Sequence, residues 1–306
     1  MKRDLISVHD LTRADLERYL TLAAHLDALS QAEKAKLLTG RVLGVLFYEP
    51  STRTRLSFEA AICRLGGNPI GFAEATNASV AKGESLRDTA RTVERYADAI
   101  VIRHPREGAA RVVAEATRVP VINAGDGTNQ HPSQTLLDLY TLQKFFGQLD
   151  GLKIALVGDL KYSRTVHSLV QALALYAGVD FTLVSPQTLR LPGHVREIGP
   201  VSRCAFRELE TLQDALQTAD VVYMTRVQKE RFPDLLEYEK VKDAYCLNRA
   251  ALEGARPQLK IMHPLPRVTE INADVDATPH AGYFEQVYNG LVMRQAILLD
   301  LLQVTP

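Results

Sequence analysis

The chain has 306 residues, 46% apolar and 24% charged, which is the composition of a globular protein with a sizeable core in one large domain or two smaller ones. Lys plus Arg equals Asp plus Glu at 36 each, and a net charge of zero argues against a nucleic acid or a membrane surface as the main partner. Three scattered cysteines (Cys63, Cys204, Cys246) form no Cys-x-x-Cys, no apolar run reaches the ~18–20 residues of a membrane span, and Met1–Leu5 opens no apolar leader, so the expectation is a cytoplasmic protein with reduced thiols.

Residues 14–29 read as an amphipathic helix, with Leu16, Leu20, Ala23 and Leu26 on one face and Asp10 or Thr12 as its cap. A buried strand over 42–48 then runs through Glu49-Pro50 into a helix over 52–65, which Gly66-Gly67 ends. A short strand at 69–72 precedes a polar loop, 75–85. The helix 86–96, strand 99–103, helix 107–117 and strand 120–123 follow. Turn formers crowd 125–132, and a helix over 133–146 stops at Gly147. A second series has strands at 152–157, 180–184, 220–224 and 259–262, with helices at 164–177 and 210–217. The chain closes on a helix over 284–302. Repeated β–α units with short connections predict parallel sheets covered by helices. The fold class is therefore α/β: two doubly wound domains with mainly parallel sheets and an interdomain cleft.

Ser51-Thr52-Arg53-Thr54-Arg55 sits where a strand gives way to a helix. Free N–H groups and the helix dipole make such a place an anion site, and hydroxyls with a guanidinium match phosphate oxygens. A lone Ser–Thr pair there would be an ordinary cap. Arg53 and Arg55 are two apart and face different sides, so only one should reach a ligand.

Parallel sheets present ligand residues at the carboxyl ends of their strands. By that rule five strand ends deliver Arg53, Arg103, Arg164, Arg226 and Arg267, and a sixth delivers His131. The pattern suits a multiply anionic substrate. His131 follows a Gly-rich loop and opens a helix with Gln134 one turn on. His263-Pro264-Leu265-Pro266 should have an extended backbone offering carbonyl acceptors to a ligand amine, or else be a rigid turn. His104 and His167 read as structural or solvated. No dinucleotide fingerprint, P-loop, Gly-x-Ser-x-Gly or zinc-ligand cluster is present, so no cofactor and no metal are expected.

Three motifs together, Ser51-Thr52-Arg53-Thr54-Arg55, His131-Pro132-x-Gln134 and His263-Pro264-Leu265-Pro266, resemble the carbamoyltransferase family. Asp159-Leu160-Lys161-Tyr162-x-Arg164 and Arg226-Val227-Gln228-Lys229-Glu230-Arg231 resemble its aspartate branch. The ornithine branch has His-Cys-Leu-Pro in place of 263–266 and a Ser-Met-Gly segment not found here. The resemblance covers essentially the whole chain. It implies transfer of a carbamoyl group from carbamoyl phosphate to L-aspartate, giving N-carbamoyl-L-aspartate for pyrimidine biosynthesis. The alternatives are another acceptor amine such as ornithine, or a non-catalytic anion-binding homologue.

The resemblance also assigns roles. Residues 1–132 with 288–306 form the carbamoyl-phosphate-binding domain, and 133–287 the aspartate-binding domain. Ser51, Thr52, Arg53 and Thr54 hold the phosphate, while Thr54, Arg103, His131 and Gln134 hold the carbamoyl end. Arg164, Arg226 and Gln228 bind the aspartate carboxylates, and Pro264 and Leu265 offer carbonyls near the amines. Ser79 and Lys82 reach a neighbouring subunit's site, which implies a homotrimer. The loop has one Lys where some members have two adjacent. Arg53, Thr54, Lys82, Arg103 and His131 form the catalytic set. Glu49 is assigned to ion pairs with Arg164 and Arg231, and Arg55 to structure. Separate regulatory or dihydroorotase chains are potential partners, and the sequence contains no extra domain of either kind.

Overall fold

The computed structural model describes residues 2–73, 83–228, 232, 234–242 and 244–306, which fall into two compact units, 1–140 with 288–306 and 141–287. Ser79, Lys82 and Arg231 lie outside the described residues. Among the described residues, no helix is long and apolar enough to cross a membrane.

The first unit opens with α1 (Arg13–Ala28) and the single turn α2 (Gln31–Lys34). Thr12, rather than Asp10, caps α1: its side chain accepts from Asp15 N while Asp15 reaches back to the cap, a reciprocal box. The hydrogen bond from Thr12 holds the Asp15 carboxyl down at about 2. There follow β1 (Val42–Phe47), α3 (Thr52–Arg64), β2 (Asn68–Phe72), α4 (Leu86–Val93), β3 (Ala99–His104), α5 (Ala109–Ala116) and β4 (Val121–Asp126). The sheet order is β2-β1-β3-β4, all parallel. Leu46, Ile100, Ile102 and Val121 on the sheet pack with Ala90, Ala110 and Val113 of α4 and α5, burying the apolar runs that marked the strands. The edge of β4 is not open. Leu5 donates to Val121 O at 2.9 Å and accepts from Asn123 N at 2.8 Å.

The helix α6 (Pro132–Phe146) takes the chain into the second unit. That unit holds β5 (Lys153–Val157), α7 (Arg164–Leu173), β6 (Asp180–Val184), the turn α8 (Gly193–Arg196), β7 (Phe206–Leu209), α9 (Leu212–Thr218), β8 (Val221–Met224), α10 (Leu235–Val241) and β9 (Lys260–Met262). The order β7-β6-β5-β8-β9 is again all parallel. Ala155, Val157, Val222, Met224 and Ile261 of the strands pack with Ala215 and Leu216 of α9 and with Tyr283. The last helix, α11 (Tyr283–Leu301), returns the chain to the first unit. The two parallel sheets expected from the alternation are both present, and the sequence reading lacked β7 and α10.

Candidate active site

In the first unit the strand order reverses direction between β1 and β3, so their carboxyl ends form a switch point, the place where open parallel sheets bind ligands. From the end of β1 the chain passes through Glu49 and Pro50 to Ser51, whose extended backbone precedes α3 and whose side chain makes no cap bond to the helix. The four leading N–H groups of α3 lack partners within the helix, and Thr52, Arg53 and Thr54 lie in that first turn. Thr54 is buried, whereas Thr52 and Arg53 are exposed. Arg55 Nε donates to Glu59 Oε1 at 2.7 Å along its own helix, which fits the structural role expected of it.

Arg103 ends β3 beside this loop. Its guanidinium lies 2.6 Å from Glu49 Oε1 and donates to Ala124 O at 3.3 Å, so two neighbouring strand ends hold it. Glu49, assigned from the resemblance to Arg164 and Arg231, thus has Arg103 as a close partner. The His104 ring packs tilted against Tyr48 with centroids 4.8 Å apart, and its Nδ1 accepts from Arg106 N at 2.9 Å. Burial pushes its pKa below the ordinary range, and its role is structural.

The loop after β4 is tied by one buried carboxylate. Asp126 accepts from Gly108 N at 2.8 Å, Asn123 Nδ2 at 2.9 Å, Asn129 Nδ2 at 3.0 Å and Gln130 N at 3.0 Å. This knot sets His131 at the head of α6, almost fully buried at 4% exposure, with Ser133 Oγ 3.3 Å from its Nδ1. Gln134, also buried, donates through Nε2 to Asp138 Oδ1 at 2.9 Å. Behind Asp138 lies Arg294 of α11, buried with its guanidinium 5.2 Å over the Phe58 ring. Burial pulls Arg294 down to about 10 and the Asp138 charge opposes that shift. Sequence reasoning missed Asp126, Asp138 and Arg294. Asp126 reads as a turn residue, and Asp138 and Arg294 as the polar face of a helix; only the fold shows them facing inward.

The second unit repeats the plan, with its switch point between β5 and β8. Gly158 ends β5 at φ +109, and a Cβ there would lie 2.2 Å from Thr225 O, so only glycine lets the two strand ends approach this closely. Thr225 donates through N and Oγ1 to Val157 O at 2.8 and 3.0 Å. Asp159 is buried and accepts from Tyr162 N at 2.9 Å, and burial raises its carboxyl above the usual range. Tyr162 O in turn accepts from Gln228 Nε2 at 3.4 Å. These contacts join the loop that ends at Arg164, the first residue of α7, to the loop carrying Arg226 and Gln228. All three candidate side chains are half-buried. His167 is structural, its Nε2 lying 2.9 Å from Leu160 O.

Of the two readings of the segment 263–266, extended or a rigid turn, the structure has the turn: Leu265 has φ +53, the Leu265–Pro266 peptide is cis, and Leu265 N donates to His263 Nδ1 at 2.7 Å. One expectation at the end of β9 is corrected. Arg267 does not match the other strand-end arginines. It is paired with Asp276, donating to its Oδ2 at 2.6 Å, and lies 5.2 Å over the Tyr283 ring, which is a structural anchor.

The structure thus groups Ser51, Thr52, Arg53, Thr54, Arg103, His131 and Gln134 within the first unit, and Arg164, Arg226, Gln228, Pro264 and Leu265 within the second. Residues 3–144 match the family described as aspartate/ornithine carbamoyltransferase, carbamoyl-P binding domain. Residues 150–301 match the same family's Asp/Orn binding domain. The aspartate carbamoyltransferase catalytic subunit of Thermococcus onnurineus is 55% identical over 297 residues, 97% of this chain and 96% of that one. The catalytic subunit of M. jannaschii aspartate transcarbamoylase superposes with a TM-score of 0.91 at 52% identity, covering 99% of this chain and 98% of that one. Aspartate transcarbamoylase from Trypanosoma cruzi, solved with carbamoyl phosphate and aspartate, gives 0.91 at 38% identity, over 97% and 96% of the two chains.

Proposed function

The chain belongs to the aspartate/ornithine carbamoyltransferase family, and we propose that within it the protein transfers the carbamoyl group of carbamoyl phosphate to the amine of L-aspartate, giving N-carbamoyl-L-aspartate and phosphate. The observation that carries the choice of acceptor is the pair of arginines, Arg164 and Arg226, that follow the adjacent strands β5 and β8, whose loops are joined by the bond from Gln228 Nε2 to Tyr162 O. Two guanidiniums suit the two carboxylates of aspartate and repel the cationic side chain of ornithine. The Trypanosoma cruzi relative solved with both substrates supports the same reading.

The roles follow from chemistry. The phosphate dianion takes the head of α3, where Ser51, Thr52, Arg53 and Thr54 supply hydroxyls, N–H groups and a cation. Arg103, Thr54 and His131 donate to the carbonyl oxygen, and Gln134 meets the carbamoyl NH2. Arg164, Arg226 and Gln228 hold the aspartate carboxylates. The uncharged amine attacks the carbonyl carbon, so a C–N bond forms and the oxygen becomes an oxyanion that the three donors stabilise. Collapse breaks the C–O bond to phosphate, and the departing phosphate accepts the amine proton. No side chain need act as base and no cofactor takes part. Pro264 and Leu265 offer carbonyl acceptors to the amines. The active assembly in this reading is a homotrimer in which Ser79 and Lys82 serve the neighbouring copy's phosphate site.

The test is a side-by-side assay of carbamoyl phosphate with L-aspartate and with L-ornithine, without added metal or nucleotide. Carbamoyl-aspartate should form and citrulline should not. Faster citrulline formation would reassign the acceptor, and no product with either would leave an anion-binding homologue.

A further inference from the structure

His263 and Glu270 take no part in the transfer as described, yet they form a buried pair with hydrogen bonds on both ring nitrogens and both carboxylate oxygens. His263 is 2% exposed and Glu270 6%. The ring's Nδ1 lies 2.7 Å from Leu265 N and its Nε2 lies 2.7 Å from Glu270 Oε1. A backbone N–H only donates, so Nδ1 must hold its lone pair and Nε2 must carry the proton. The second Glu270 oxygen accepts from Val268 N and Thr269 N, both at 3.1 Å. Burial works to raise the Glu270 carboxyl, but the hydrogen bonds from His263 and the backbone outweigh it and hold it below the usual range. His263 N donates to Gln286 Oε1 at 2.9 Å, which ties the ring's own backbone to α11.

The consequence lies in Leu265. Across Pro264–Pro266 it alone has a backbone N–H, since proline has none. His263 takes that donor and holds Leu265 in the left-handed region at φ +53, a conformation that a bulky residue keeps only when its surroundings impose it. With the donor turned inward, the segment offers a ligand carbonyl oxygens and no competing N–H. Such an edge suits an amine or amide NH2 and gives nothing to a carboxylate.

We propose that His263, locked in its Nε2–H tautomer by Glu270, is a positioning residue that sets the Pro264–Pro266 carbonyls to receive the substrates' nitrogen groups; the inference rests on the proposed transfer reaction. A purely structural pair would support every ligand of the second unit alike, whereas this one should matter for ligands with a nitrogen to be recognised.

The experiment compares L-aspartate with succinate, the dicarboxylate that lacks the amine, in His263→Leu, His263→Asn and Glu270→Gln. Asn presents an oxygen to the N–H two residues on, the Asx-turn geometry, and so restores the acceptor that Leu removes. Gln must turn its NH2 toward either the ring N–H or the two backbone N–H groups, donor against donor. Wild type must first make carbamoyl-aspartate, and its failure would sink the reaction assignment rather than this proposal. Given that activity, His263→Leu should raise KM for aspartate about tenfold, the scale of one lost hydrogen bond to a buried group, with the succinate inhibition constant within about twofold. His263→Asn should recover most of the loss, and Glu270→Gln should show the same split between ligands. If His263→Leu does not fold, His263→Asn and Glu270→Gln decide the matter. Equal weakening of succinate and aspartate in the variants that fold, or unchanged aspartate KM in Glu270→Gln, overturns the proposal.

Discussion

At the scale of single residues, the roles proposed for His131 and Arg226 separate oxyanion stabilisation from substrate binding. The Ser133 hydroxyl, 3.3 Å from His131 Nδ1, can donate to that nitrogen, which places the ring proton on Nε2, the tautomer that the proposed oxyanion role requires. His131→Ala should therefore lower kcat by about 10²-fold, the scale for losing one oxyanion donor. Arg226→Ala should act mainly on KM for aspartate. Steady-state kinetics with both substrates varied will show the difference, and an unchanged kcat in His131→Ala removes the oxyanion role. The candidate ligand residues stood out in the sequence because their types are chemically loud: hydroxyls and arginines after a buried strand suggest a phosphate site. The residues that hold them were not. Asp126 gathers four donors, Asp138 orients Gln134, and Glu270 fixes His263, but in sequence each is one more carboxylate among 36 acidic residues. Arg267 shows the reverse error, a guanidinium at a strand end whose partner Asp276 was not visible in the sequence.

At the scale of elements, the switch point between β5 and β8 depends on Gly158. A Cβ at 2.2 Å from Thr225 O, added at φ +109, must push apart the two strand ends that carry Arg164 and Arg226. Gly158→Ala should raise KM for aspartate by about tenfold or more, while inhibition by inorganic phosphate stays within about twofold because the proposed phosphate ligands belong to the first unit. Loss of both together would mean that the glycine serves the fold at large. Helix starts were easier to read than helix stops. Thr12 with Asp15 and Ser85 with Asp88 mark their caps chemically. By contrast α7 ends at Leu173, short of the expected 177, because the chain tightens: Leu175 N bonds Ala172 O and Tyr176 N bonds Leu173 O, three residues back. The edge strand β7 escaped notice for a physical reason. Arg207 and Glu208 interrupt its apolar pattern, and Glu208 pairs with Arg196 at 2.5 Å, the charged finish that protects a sheet edge.

At the scale of the whole molecule, the alternation of strands and helices was enough to expect two parallel sheets, because each buried strand is an apolar run too short for a helix. The interruption of the first unit by the second is carried by α6 and α11, whose buried polar residues, from Ser133 to Arg294, blur the amphipathic pattern that marks a surface helix. The proposed trimer has its own test. Arg53→Ala and Lys82→Ala chains should each be nearly inactive, and an equal mixture, dissociated and reassociated, should regain about a quarter of wild-type activity for random cyclic assembly. A mixture as inactive as its parents after verified exchange would place each site within one chain. The most direct measurement addresses the reaction itself. With carbamoyl phosphate labelled at its carbon with ¹³C and aspartate labelled at its amine with ¹⁵N, the product should show a one-bond ¹³C–¹⁵N coupling, with one phosphate released per product. Phosphate release without that coupling, or with the carbon recovered outside the aspartate nitrogen, would contradict carbamoyl transfer to aspartate.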